Sequence, residues 1–284
     1  MDKTPDTARG EPRALTRRQA YEQKARRKSL LIAALSSAFA IALLVVFVPM
    51  APGWEAVQRS FFNWNVLVKT FPKLLSAFTL DLILFFAAAP AIFFLALVIA
   101  LMRNVTRPAL YPLKLFAIIY IDVLRSIPVI LTIYLIGFGV PGLGLLPPWN
   151  SPYIWGSVAL VLAYAAYIAE VFRTGIESIH ESQRSAARSL GLSETSMMRY
   201  VVLPQAIRRV VPTLVNFLVA LLKDVALLSF IGPVEVLRQA GVYKSLFANF
   251  TPYVGAAIIF LVATIPAIRF ADYLMAKQNA QRTR

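Results

Sequence analysis

An all-α integral membrane helical bundle of about six transmembrane helices is the fold this sequence predicts, and three observations predict it. Hydrophobic residues fill 58% of the 284 positions and mean hydropathy is +0.66, more apolar surface than a water-soluble core uses. The stretches 29–49, 82–102, 126–169 and 245–268 hold no Asp, Glu, Lys or Arg. Each reaches the roughly 20 residues a helix needs to cross hydrocarbon. Finally, the basic residues gather on one side of the predicted spans.

A net charge of +15 raises the possibility of a nucleic-acid partner, and the distribution of that charge argues against it. Spans at about 29–50, 76–102, 115–138, 153–172, 210–232 and 253–271, with both termini cytoplasmic, put 22 of the 29 Lys and Arg residues inside. Five lie outside (Arg59, Lys69, Lys73, Arg238 and Lys244), and Arg125 and Lys223 fall within spans. This is the asymmetry of the positive-inside rule. No cysteine is present, which removes disulfides, thiolate catalysis and cysteine-ligated metals.

Taken in order, residues 1–28 have too little apolar surface to fold alone and read as a disordered basic cytoplasmic tail. The apolar run after Lys28 is longer than a signal-peptide core, so 29–50 reads as an uncleaved first transmembrane helix. Residues 51–75 interleave Trp54, Phe61, Phe62, Trp64 and Phe71 with charges, the composition of an outer interfacial connector. Residues 76–275 form the transmembrane core, and 276–284 a second cytoplasmic tail. Pro90 and Pro266 interrupt apolar spans and tend to kink them. Gly137, Gly139 and Gly142 match a dinucleotide fingerprint literally. No βαβ pattern surrounds them, so they read as part of an outer loop.

Between the fourth and fifth spans, 173–209 is long enough to fold. Ile176, Ile179, Gln183, Ala187 and Leu190 recur at three and four, an apolar stripe that ends at Gly191. Gly191 suits a helix stop and Ser193 a cap for a second short helix with Met198, Val201 and Val202 on one face. Pro204 is expected to push Leu203 out of the α region. The pair of helices is expected to lie flat at the membrane surface, with Arg184, Arg188 and Arg199 free for lipid phosphate or a partner. A plain amphipathic surface helix accounts for the periodicity equally well.

Ionisable residues inside hydrocarbon need an explanation. Asp81 and Glu170 lie near opposite edges, where each can reach water or cap a helix. Asp122 and Arg125, three apart on one face, suit an ion pair. Lys223 and Asp224 point about a hundred degrees apart and need partners elsewhere or a hydrated cavity. Together, Asp122, Arg125, Lys223 and Asp224 are the candidates for a substrate pathway, since a zwitterionic amino acid needs donors for its carboxylate and an acceptor for its ammonium. His180, the sole histidine, has no companions for a zinc site or a Ser/His triad and reads as solvated.

Three segments carry a family resemblance. Gln183-Arg-Ser-Ala-Ala-Arg-Ser-Leu-Gly-Leu192 followed by Val202-Leu-Pro204 resembles the E-A-A loop of ABC importer permeases, with Ser185, Ala186, Ala187, Gly191, Leu192, Leu203 and Pro204 in the motif positions and serine replacing the leading glutamate. Asp122-Val-Leu-Arg-Ser-Ile-Pro128 and Leu222-Lys-Asp224 with Ser229 to Gly232 resemble two further segments of the polar amino-acid (histidine and glutamine type) permeases. The resemblance implies that Gln183 and the motif residues dock on a separate ATP-binding subunit. It also implies a second permease subunit and an external solute-binding protein that delivers an amino acid. ATP and Mg would be bound by the partner, because this chain has no G-x-x-x-x-G-K-[ST] and is expected to hold no cofactor itself. The location implied is the plasma membrane of a bacterium. An ion-coupled secondary transporter or channel is the alternative, with the intramembrane charges serving a gradient. An intramembrane enzyme is disfavoured by the absence of H-E-x-x-H, G-x-S-x-G and cysteine.

Overall fold

The computed structural model describes the backbone of residues 17–105 and 107–282, and the side chains of 28–105 and 107–277. Every regular element among them is helical: α1 (Arg17–Phe47), α2 (Trp54–Phe61), α3 (Trp64–Arg103), α4 (Tyr111–Ser126), α5 (Val129–Gly139), α6 (Pro152–Glu177), α7 (Glu181–Ser189), α8 (Glu194–Met197), α9 (Leu203–Asp224), α10 (Val236–Phe247) and α11 (Thr251–Arg282). Short 3₁₀ turns and one π segment join them. The chain divides into two units, residues 1–59 and 60–284.

In the first unit, α1 is apolar from Leu30 onward, and every residue from 28 to 47 is exposed, as suits a helix surrounded by hydrocarbon. The helix starts at Arg17, so residues 17–28 are helical, contrary to the expected disordered tail; residues 1–16 lie outside the described residues.

The second unit is built on α6, which packs against α3, α4, α5 and α9. Its small residues explain how. Ala159, Ala163, Ala165, Ala166 and Ala169 are fully buried, and small side chains let helix backbones approach closely where lipid gives no hydrophobic drive to associate. Gly156 is the tightest point: a β-carbon there would stand 2.0 Å from Ile231 Cδ1 and 3.2 Å from Leu228 Cδ2. At the other end, a β-carbon on Gly175 would stand 2.5 Å from Val210 Cγ1 on α9.

Among the described residues five helices are long and apolar enough to span a membrane, and α4 and α5 reach that length only together, meeting at a bend of 107°. The expected single span at 115–138 is therefore broken. Ile127 has an extended backbone (φ −97°, ψ 133°), the conformation a residue before proline prefers, and Pro128 then starts α5. Within the expected connector at 51–75, α3 begins at Trp64. Asn63 caps it, Oδ1 accepting from Val66 N at 3.2 Å, while Asn63 N donates to Thr251 Oγ1 at 3.0 Å and ties the starts of α3 and α11 together.

The larger correction concerns Pro204. Leu203 is α-helical (φ −61°, ψ −43°), and the chain runs as one helix from Glu194 through α9. Residues Met198–Val202 form a π turn, whose wider ring accommodates a helical proline directly after it. The second loop helix thus continues into a span and does not lie flat on a surface.

Candidate functional site

At one end of the bundle, α6 stops at Glu177 and the chain turns back through α7. His180 caps α7, its Nδ1 accepting from Ser182 N at 3.2 Å, so it stands before the helix and not within it. Arginines hold the corner: Arg184 Nη2 donates to Ile176 O at 2.8 Å, and Arg209 Nη1 reaches Ser178 Oγ at 3.1 Å. Ile176, Ile179, Ala187, Met197, Val202 and Ala206 bury a small separate core under the turn.

The turn itself is a Schellman closure. Leu192 N donates to Ala187 O at 3.2 Å and Gly191 N to Arg188 O at 2.9 Å, with Gly191 at φ +74°. Ser193 Oγ then accepts from Ser196 N at 3.2 Å and starts the next helix, as its position predicts. Arg188 crosses the turn, donating to Glu181 Oε1 at 2.8 Å and Glu194 Oε1 at 3.2 Å. Those bonds raise its pKa, so it stays charged. It is therefore a brace across the turn, and Arg199 lies over the Tyr200 ring.

Leu190 does not join the buried stripe: it is 82% exposed at the tip, because the reversal at Gly191 turns it outward. Gln183, Ser185, Ala186 and Gly191 are exposed beside it, Ala187 is buried, Leu192 and Leu203 are half-buried, and Pro204 is exposed.

The intramembrane charges are paired differently from the sequence expectation. Arg125 approaches Glu170 Oε1 at 3.9 Å and lies over the Tyr167 ring, while the Asp122 carboxylate is exposed and has no ion pair among the described residues. Arg125 and Asp122 part because α4 turns Arg125 toward α6, where Glu170 also receives Arg103 at 3.1 Å and Arg173 at 2.6 Å. Glu170 therefore does not cap a helix; it joins the ends of α3, α4 and α6. Three arginines around one lone acid in apolar sequence was the available signal.

At the far end of α9, Tyr164 donates its hydroxyl to Asp224 Oδ2 at 2.6 Å, while Lys223 is exposed. Tyr164 is 4% exposed and was not singled out in the sequence, since only tertiary packing aims its hydroxyl at Asp224. Of the four pathway candidates, Asp122 and Arg125 lie on α4 and Lys223 and Asp224 on α9. Asp81 is fully buried, and its Oδ2 accepts from Val236 N at 3.1 Å, so it caps α10.

The functional end of the helical bundle is thus an exposed turn that leads directly into a spanning helix. Residues 112–279 match the family described as binding-protein-dependent transport system inner membrane component, and the chain belongs to that family. It is 32% identical over 214 residues to a probable glutamine ABC transporter permease protein of Bacillus subtilis (strain 168), covering 75% of this chain and 96% of that one. It is 31% identical to a glutamate/aspartate import permease protein of Escherichia coli O157:H7, covering 68% and 91%. In structure it resembles a chain from a crystal structure of an amino acid ABC transporter with histidines, with TM-score 0.68 and 33% identity over 76% of this chain and 98% of that one. A likeness to the inward-facing MetNI methionine ABC transporter, with TM-score 0.59 at 19% identity over 72% of this chain and 95% of that one, concerns the fold alone. The protein is a multi-pass permease subunit of an ABC importer, which sets aside the ion-coupled alternative.

Proposed function

We propose that the Leu190–Gly191 tip docks on a separate ATP-binding subunit, and that closure of that subunit moves α9 as a lever. The observation that carries this reading is continuity: the helix that leaves the turn at Glu194 runs unbroken to Lys223 and Asp224. A push at one end is felt at the other because a helix is stiff along its axis. Gln183, Ser185 and Ala186 flank the tip, with Ala187, Leu192, Leu203 and Pro204 shaping the support behind it.

In this reading the tip and both termini face the cytoplasm, in keeping with the charge asymmetry. The substrate is a polar amino acid released by an external solute-binding protein into a pathway shared with a second permease subunit, the same or related. Lys223 offers a donor to its carboxylate, and Asp224, oriented by Tyr164, offers an acceptor to its ammonium. Asp122 and Arg125 are weaker candidates, since Arg125 is engaged with Glu170. The chain performs no chemistry and holds no cofactor; ATP and Mg belong to the partner.

The test is to co-purify the chain with its ATP-binding subunit and measure which amino acid, presented with its binding protein, stimulates hydrolysis. Stimulation by one polar amino acid, lost in Asp224→Asn, supports the reading. Hydrolysis indifferent to every amino acid contradicts it.

A further inference from the structure

Two acids at the α10 end are unlike any other charged groups described in the chain. Asp81 on α3 and Glu235, just before α10, are both 0% exposed, and neither has a Lys or Arg within 4.0 Å among the described residues. Glu235 accepts two backbone donors, Leu237 N at 2.8 Å and Arg238 N at 2.7 Å, so both of its oxygens are engaged. Asp81 Oδ2 accepts from Val236 N, and Asp81 Oδ1 alone is left without a donor.

Val236, whose N–H donates to Asp81 Oδ2, directly follows Glu235, so both acids meet at the same buried turn. Two bare carboxylates buried side by side repel strongly, and a proton on one of them removes that repulsion. The charged and titratable groups on the surrounding elements offer no substitute. On α10, Arg238 is exposed toward a cavity of about 610 Å³ that it shares with Tyr253 of α11. Lys244 lies over Phe250 and Tyr243 beside Phe247. On α9, Lys223 is exposed and Asp224 is bonded to Tyr164; on α3, Lys69 and Lys73 are exposed.

We propose that Asp81 and Glu235 form a proton-binding site, with one proton held between Asp81 Oδ1 and the Glu235 carboxyl fastening the first turn of α10 to α3. That proton supplies the donor the orphaned oxygen lacks. Burial, reinforced by the neighbouring acid, pushes Glu235 from its usual 4.5 up to about 8. Between those values the folded chain holds a proton the unfolded chain has released, so this site's contribution to stability is fullest below pH 4.5 and declines as pH rises to about 8. The site does not depend on the coupling role assigned to Gly191.

The test uses the full chain in lipid nanodiscs, observed by infrared spectroscopy in H₂O and D₂O. At pH 7 a deuterium-sensitive protonated-carboxyl band is expected, lost in Asp81→Asn and lost again in Glu235→Gln. Asp81→Asn keeps an acceptor for Val236 N and a donor for Glu235, so the fold is retained and the decline of thermal stability toward pH 8 is flattened. Absence of the band in the native chain, whether from two ionised acids or from a bound cation, overturns the proposal. Persistence of the band in both variants, or an unchanged pH profile in Asp81→Asn, overturns it as well.

Discussion

Glu170 lies by the C-terminal end of α3 and the Asp81–Glu235 pair near its middle, and the two solve the same problem in opposite ways. Both put carboxyl groups where water is scarce. Glu170 draws in Arg103, Arg125 and Arg173 from three helices, and its pair with Arg173 is still about one-fifth exposed. Asp81 and Glu235 have no ion pair among the described residues and no exposure; backbone donors engage both Glu235 oxygens and Asp81 Oδ2. The lesson is that a charge knot spans several elements and ties them at the α7 end, whereas the acid pair acts on one joint, between α3 and α10.

Beyond either acid site, the largest expected effect lies at the turn. Gly191 has φ +74°, and a β-branched residue in that conformation is strained by about 1–2 kcal/mol. Gly191→Ile is expected to abolish ATP-driven uptake in proteoliposomes while membrane-inserted protein stays at the native amount. Next, Glu170→Ala strands three arginines that share one carboxylate, at a cost of about 3 kcal/mol. A clear fall in unfolding temperature in detergent checks it, and an unchanged temperature would break the contrast with the acid pair.

Lys223→Met and Asp224→Asn are each expected to slow initial uptake roughly tenfold, the worth of one hydrogen bond to a charged group. Tyr164→Phe is milder, about fivefold, because it removes only the group that orients Asp224. Smallest is Asp81→Asn, which preserves the hydrogen-bond pattern at α10 and is expected to change uptake at neutral pH by less than about twofold. Equal effects at Asp81 and Asp224 would remove the proposed distinction between an anchoring acid and a pathway acid.

Much of this was legible locally. Helix number, the stop at Gly191 and the cap at Ser193 follow from apolar run length and short-range backbone chemistry, and each holds in the structure. Misreadings came where one residue has two local outcomes. Pro128 and Pro204 are alike in sequence terms, yet the first stands at a break between helices and the second, just after a π turn, rides inside a helix. Leu190 keeps the spacing of a buried stripe but sits one residue before the reversal, which places it outside. Charge partners were the least legible, because Arg125 chooses between Asp122 on its own helix and Glu170 on another, and only helix packing decides. Tyr164 and Glu235 carry no local motif at all.

The central claim is that force enters through the exposed tip of the turn. Because the chain has no native cysteine, Leu190→Cys creates a single reporter on a side chain that is 82% exposed. A membrane-impermeant thiol reagent is predicted to label it only from the cytoplasmic side, and the ATP-binding subunit is predicted to block that labelling. Labelling from the outside, or labelling indifferent to the subunit, would contradict the account.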